Sequence, residues 1–361
     1  MRSLAYALLA LIAGPALAQP LPTYPQPRVT LDIELPAAPA YQLYGRGAPG
    51  RLAVGADGTH YVLTNSFRPS DNPLRPALDA RIELSAFHRD GSLRYRTLLP
   101  VDHRLSPNGF EIESLGVAPL PSGEAAVFLG SRNEAVGQAI LGRPLTFYYG
   151  IGTTGSVLRA VPVPPPTAGN DSGATYSTRF YLPTADNGLL VGGGYGGGPF
   201  AWWIGKFAPD GRRLWQAGPV TGAPEDVYAL ATRPDGSIVA VVEEVGEGSG
   251  LSSWYIVRLG ADGRPLGRTR FDAEGNTFAI LPATYVSAIS AYQSIRRPEL
   301  VRLDEAGRVT GRASWGYEAT RVMIPDGDGI AAIVCYRVDG PPCYVVRAGL
   351  DGKVRWQSPP V

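Results

Sequence analysis

Five carboxylates stand where apolar runs begin: Glu111, Glu113, Glu225, Asp226 and Glu318. Several oxygens converging from different strands are what a hard cation such as Ca2+ takes. Carboxylates at strand ends are also commonly just solvated, and none of these recurs in every repeat of the chain. Solvated strand ends are therefore the simpler reading and Ca2+ is the alternative; no metal site and no cofactor is otherwise expected. The two cysteines, Cys335 and Cys343, flank YRVDGPP. In an oxidising compartment such a pair across a hairpin reads as a disulfide. Closing so short a loop is worth roughly 2–3 kcal/mol in the chain-entropy model.

Nucleophilic machinery is thin. His60, His88 and His103 are the three histidines, and only His103 has an acidic neighbour, Asp102. No G-x-S-x-G elbow, H-E-x-x-H or C-x-x-C-H occurs. Asp326-Gly327-Asp328-Gly329 lacks the later ligands of a calcium loop and reads as a hairpin turn. The glycines of 192–198 are not followed by Gly-Lys-Ser/Thr or a helix, so they read as a flexible loop. Trp202 and Trp203 come next; adjacent strand residues face opposite ways, so at most one is expected in the packing against a neighbour.

The elements that carry these residues repeat. One phrase is an apolar strand, a tight turn ending in Gly, then a second strand. It reads LSAFHRDGSLRY, YYGIGTTGSVLR, WIGKFAPDGRRLW, YIVRLGADGRPLG, LVRLDEAGRVTG and YVVRAGLDGKVRW. Four residues after the turn Gly come Tyr95, Trp215 and Trp356. A second phrase alternates with it: GADGTHYVLT, LPSGEAAVFLG, TADNGLLVGG, RPDGSIVAVVEE and IPDGDGIAAIVCY. Asp-Gly and Asn-Gly favour the positive φ of hairpins that join adjacent antiparallel strands. Each pair of phrases supplies four strands. Four-stranded antiparallel sheets repeated in this way are the mark of a β-propeller. The expectation is an all-β fold of six four-stranded antiparallel blades over residues 50–361, with seven as the alternative.

Phrases such as LLVGGGYGGGPFAWWIGKFAPDGRRLW resemble the repeats of secreted bacterial β-propellers of the pyrroloquinoline-quinone-like or WD-like kind. The resemblance spans roughly residues 50–357 and implies the fold; that repeat serves enzymes, assembly factors and other secreted proteins alike. The adjacent cysteine pair of some quinoprotein dehydrogenases is missing, so the resemblance does not extend to that activity.

Composition agrees with many turns and short strands. Gly and Pro number 45 and 34 of 361, too many helix breakers for a helical protein. Hydrophobic residues reach 44% against 18% charged, the reverse of a disordered chain. Arg2, the apolar run LAYALLALIA and Pro15-Ala16-Leu17-Ala18 read as a secretory signal over residues 1–18, cut after Ala18. No run is long enough to cross a bilayer as a helix. The expected location is the periplasm or the exterior. Residues 19–49 are Pro-rich and include one strand-like stretch, RVTLDIEL. Removing Arg2 leaves 32 basic and 32 acidic residues, a balance that argues against nucleic acid as a partner.

In an antiparallel meander the tight glycine turns share one end of each sheet. The longer, irregular connections share the other, and scaffolds place binding residues on such loops. The innermost strands line a central channel, so the five carboxylates would ring its mouth on the loop face. The functional expectation is a non-enzymatic module that binds a protein, peptide or envelope component there. The alternative is a hydrolase or lyase with a cation-dependent site at the same mouth.

Overall fold

The structure is a computed structural model, and it describes residues 42–43, 52–69, 77–100, 112–131, 146–163, 175–196, 201–218, 225–245, 252–271, 277–280, 286–289, 299–304, 308–314, 319–326, 329–337, 340–349 and 351–358. The proposed signal segment, the stretch RVTLDIEL, Glu111, Glu318 and His103 lie outside the described residues.

The described residues form antiparallel sheets that follow one another along the chain. The second sheet is Ile112–Pro119, Ala125–Ser131, Phe147–Ile151 and Val157–Pro162; the third is Thr175–Pro183, Leu189–Gly196, Ala201–Phe207 and Arg213–Ala217. The fourth is Glu225–Thr232, Ile238–Val245, Ser252–Leu259 and Pro265–Phe271; the fifth is Thr277–Ile280, Val286–Ile289, Glu299–Leu303 and Val309–Ser314. The sixth is Ala319–Asp326, Gly329–Arg337, Gly340–Gly349 and Val354–Gln357. The expectation of six four-stranded blades, or seven, needs correction. Five blades have the four-stranded form. The first sheet has five strands, because Gln42–Leu43 and Leu52–Val54 both pair with the inner edge of His60–Pro69, ahead of Ala77–Phe87 and Leu93–Leu98. Its innermost strand is thus split in two.

The innermost strands touch in succession, from the second sheet to the sixth, and the inner strands of the first sheet touch the innermost strand of the second. This is the hub of a β-propeller. Each middle blade has a neighbour on both faces, so its strands are apolar on both. Leu189, Leu190 and Val191 are all buried, and so is the run Ile238–Val242. The same fact overturns the expectation for Trp202 and Trp203. Both are buried, Trp203 against Phe128 and the second sheet, Trp202 in the cluster shared with the fourth.

The glycine turns do what the repeats require. Gly58, Gly91, Gly123, Gly155, Gly211, Gly236, Gly263 and Gly352 have φ between 76° and 87°. In the third sheet the left-handed position falls on Asn187, at φ 59°, not on Gly188. Both sets of turns meet at one end. Arg94, just past the second turn of the first sheet, lies 3.2 Å from Asp57 in its first turn, and Lys206 lies 2.7 Å from Asp186 in the third. The second turns also join neighbouring sheets. A Cβ on Gly155 would lie 2.7 Å from the Tyr95 ring, and one on Gly263 2.5 Å from the Trp215 ring. Trp215 Nε1 donates to Ala261 O at 3.1 Å. The aromatic residue four positions after each of these turns therefore packs beneath the glycine turn of the next sheet.

Cys335 and Cys343 form a disulfide, as their placement predicts, across the second and third strands of the sixth sheet. Asp326 pairs with Gly329, as a two-residue hairpin demands. Among the described residues, no helix is long and apolar enough to cross a membrane.

Candidate functional site at the loop end of the hub

Each inner strand of the middle blades begins at the loop end and runs to the glycine turn. Early residues of one inner strand therefore sit beside late residues of its hairpin partner. In the fourth sheet Asp226 faces Glu243 in register, and Glu225 faces Glu244. Trp254 follows across the next strand, opposite Glu243. The early half of the third sheet's inner strand supplies Arg179.

These residues make one cluster. Arg179 Nη2 lies 2.8 Å from Asp226 Oδ2, joining the inner strands of two sheets. Asp226 Oδ1 accepts the backbone N–H of Val227 at 2.8 Å. The Arg179 guanidinium stands 5.2 Å from the centre of the Tyr228 ring, within cation–π range. Tyr228 meets Trp254 edge to face at 4.9 Å, and its hydroxyl is hydrogen-bonded to the Glu243 carboxyl. Trp254 is buried while Arg179 keeps 39% of its side chain exposed, so the cluster is closed below and open above.

Burial controls the electrostatics. It pushes the Asp226 carboxyl up to about 6; Arg179 and the Val227 N–H pull the other way, and Glu243 adds to the rise. Burial, then the bond to Glu243, also raises the Tyr228 hydroxyl. The ionised Asp226 is thus less comfortable here than in water even with an arginine beside it. Further out along the same end, Arg268 Nη2 meets Glu244 Oε2 at 2.6 Å and stacks 3.7 Å over the Tyr255 ring.

Of the five carboxylates named from sequence, the structure places Asp226 in this cluster. Glu225 is its neighbour in the same strand, and Glu113 lies at an irregularity near the start of the second sheet's inner strand. Arg179, Tyr228, Glu243 and Trp254 were not singled out by sequence reasoning. A signal for Glu243 existed: counting back across the Gly236 hairpin sets the acidic end of IVAVVEE beside Glu225-Asp226. Arg179 comes from another sheet, and no local pattern marks it. Among the described residues, no group of three or more His, Cys, Asp or Glu stands close enough to hold a metal ion. Asp226 meets an arginine where a cation cage would need further oxygens.

No family model matches this chain, and no curated protein matches it either. Solved structures do. An ulvan lyase, from a new polysaccharide lyase family, aligns with a TM-score of 0.51 at 11% identity, over 84% of this chain and 79% of that one. A europium-containing methanol dehydrogenase aligns with a TM-score of 0.41 at 11% identity, over 88% of this chain and 80% of that one. The WD40 domain of Neurospora crassa Pan2 aligns with a TM-score of 0.41 at 10% identity, over 66% of this chain, which spans 63% of that one. At such identities the likeness is one of fold: the chain is similar to β-propellers in architecture, in keeping with the repeat resemblance seen in its sequence.

Proposed function

We propose that this protein is an exported β-propeller that acts as a binding module, taking a protein, peptide or envelope component on its loop end over the Arg179–Asp226–Tyr228–Glu243 cluster. One observation carries the reading. A carboxylate is kept where its ionisation opposes folding, in a cluster that links two blades and opens on the loop side. Perturbed carboxyls of this kind gather at functional sites. Two carboxylates served by one arginine, one backbone N–H and one phenol still leave acceptor capacity, so the cluster suits a ligand that brings hydrogen-bond donors or a positive charge. Export is supported by the signal-like leader and by the disulfide, which persists in oxidising compartments. The test is co-purification from the native envelope with wild type and with Asp226→Asn. The reading expects a partner that the wild type retains and the variant loses. A partner held equally by both would place binding elsewhere.

A second reading, a hydrolase or lyase at the same end, draws on the same carboxyl. A group that titrates near pH 6 can both hold and release a proton in neutral solution, as acid–base catalysis requires. The ulvan lyase has the same fold, and one of its structures holds a -[GlcA(1-4)Rha3S]- saccharide. Cleavage of an acidic polysaccharide by the wild type, lost in Asp226→Asn, would favour this reading over simple binding.

A further inference from the structure

The apolar wall between the second and third sheets carries a polar patch at its turn end, far from the loop-end cluster. In the second sheet Phe128 and Ala126 stand opposite Tyr148 and Gly150, and these stand opposite Val161 and Arg159 of the outermost strand. Alternate residues of a strand share a face, so all six look the same way. That way is toward the third sheet, because Phe128 and Tyr148 share a buried cluster with Trp203 and Phe207. The Tyr148 ring stacks on Phe207, with centres 6.0 Å apart, and lies beneath the glycine turn of the third sheet: a Cβ on Gly211 would stand 2.7 Å from it.

The repeats show what differs at this junction. Four residues after the turn glycine, Tyr95 and Trp215 lie beneath the turn of the following sheet, and Trp215 Nε1 gives its hydrogen to Ala261 O at 3.1 Å. In the second sheet that position is Arg159, and the ring beneath the turn comes instead from Tyr148 on the neighbouring strand. Arg159 lies over Gly150, where a Cβ would collide with its Nε, and its Nη2 pairs with Glu124. The exchange leaves two hydrogens without acceptors. The Tyr148 hydroxyl and Arg159 Nε are both buried, and neither has a hydrogen-bond partner among the described residues. Burial pushes the Tyr148 hydroxyl up to about 12; Arg159 draws it down while Glu124 and Asp210 add to the rise, so these three charges surround it.

A buried donor without an acceptor costs folding its full desolvation, and native proteins rarely keep one. Here two such donors share a face, with only Ala126 and Gly150 beneath them and a carboxylate beside them. Those are the surroundings of a buried water, which accepts hydrogens from some neighbours and returns its own to others. A chloride would meet the charges of Glu124 and Asp210, and a metal ion would meet two N–H and O–H hydrogens and a guanidinium.

We propose that the junction of the second and third sheets holds one buried water, which accepts from the Tyr148 hydroxyl and from Arg159 Nε and donates to the Glu124 carboxylate. Its second hydrogen is left for the Asp210–Gly211 turn of the third sheet. The water thus does for Tyr148 what the indole N–H does for Trp215 at the next junction: it ties an anchor ring to the turn above it. The site is independent of the loop-end cluster and of the function proposed for it.

The experiment compares crystals of the full chain, wild type and Tyr148→Phe, at a resolution that shows ordered waters, together with the urea unfolding of both. Tyr148→Phe deletes one oxygen and keeps the ring beneath Gly211. The wild type should show a density peak within hydrogen-bond distance of both Tyr148 Oη and Arg159 Nε, and the variant should lose it. The variant's folding equilibrium constant should fall roughly fivefold, because Arg159 Nε is then left without an acceptor. A wild type with no peak overturns the proposal. So does a peak that persists in the variant, or a variant at least as stable as wild type, which is the result for a hydroxyl bonded to nothing. A bromide soak that places anomalous signal in the peak would make the occupant an anion and overturns it as well.

Discussion

The two ends of the blades treat carboxylates in opposite ways. At the turn end, an aspartate accepts hydrogen bonds from the residue two places on. Asp235 takes the Ser237 N–H and hydroxyl at 2.9 and 2.6 Å, and Asp90 does the same with Ser92. Asp57, Asp90, Asp186, Asp235 and Asp351 are all held below the ordinary carboxyl value. The causes are the Thr59 N–H for Asp57, the Ser92 and Ser237 hydroxyls for Asp90 and Asp235, Lys206 for Asp186 and the Lys353 N–H for Asp351. At the loop end, burial raises Asp226 to about 6 despite Arg179. One end spends its charges on closing turns. The other holds a carboxyl whose ionisation its burial opposes, and the proposed binding role rests on that difference.

The contrast can be broken most severely at the turn end. Gly263→Val puts a branched residue at φ 81°, with its Cβ 2.5 Å from the Trp215 ring. Strain and overpacking together should cost roughly 3 kcal/mol or more, read as a lowered urea midpoint. A loss below about 1 kcal/mol would show that the aromatic contact between blades is loose. Arg179→Ala should have the next largest effect. It leaves Asp226 half-buried without its cation, so stability at pH 7 should fall by about 1–2 kcal/mol. Near pH 4, where the carboxyl is largely protonated in the folded protein, the loss should shrink. A loss independent of pH would mean that Arg179 acts through packing.

Asp235→Ala sharpens the other side of the comparison. Its folded value is depressed, so the stability it adds is present above the unfolded carboxyl value and is lost as the pH falls through the folded one. The variant should therefore melt slightly lower at neutral pH and match wild type in strong acid. An equal Tm at both would remove the turn bonds from the account. Calcium should do least. With Arg179 on Asp226, millimolar Ca2+ should leave the melting temperature unchanged; a clear rise would turn the loop-end carboxylates into a cation site.

The turn end was the more legible in sequence, and the reason is local. A left-handed residue selects Gly, and Asp two places before a donor marks the same turn, so Gly211, Gly236 and Gly263 could be named from the repeats. Asn187 took the left-handed place beside Gly188 because asparagine also tolerates that conformation. The disulfide was legible for the same reason, since both cysteines belong to one hairpin. What joins different sheets was not. Asp226 could be named, but its partner Arg179 belongs to the preceding blade and no period links the two. The burial of both Trp202 and Trp203 depends on that blade having two neighbours, a fact about stacking and not about its own strand. The five strands of the first sheet depend on a split inner strand that interrupts the repeat.

The most direct measurement is the stability of Asp226→Asn minus that of wild type, followed from pH 4 to pH 8 by urea unfolding. With a folded value near 6 against 3.8, ionising Asp226 destabilises the fold progressively over that window and in full above it. The difference should start near zero at pH 4 and grow until the variant is about 1–3 kcal/mol more stable at pH 7–8. A flat difference, or a variant less stable at neutral pH, would show that Asp226 is an ordinary structural ion pair, and the case for a working site at the loop end would fall with it.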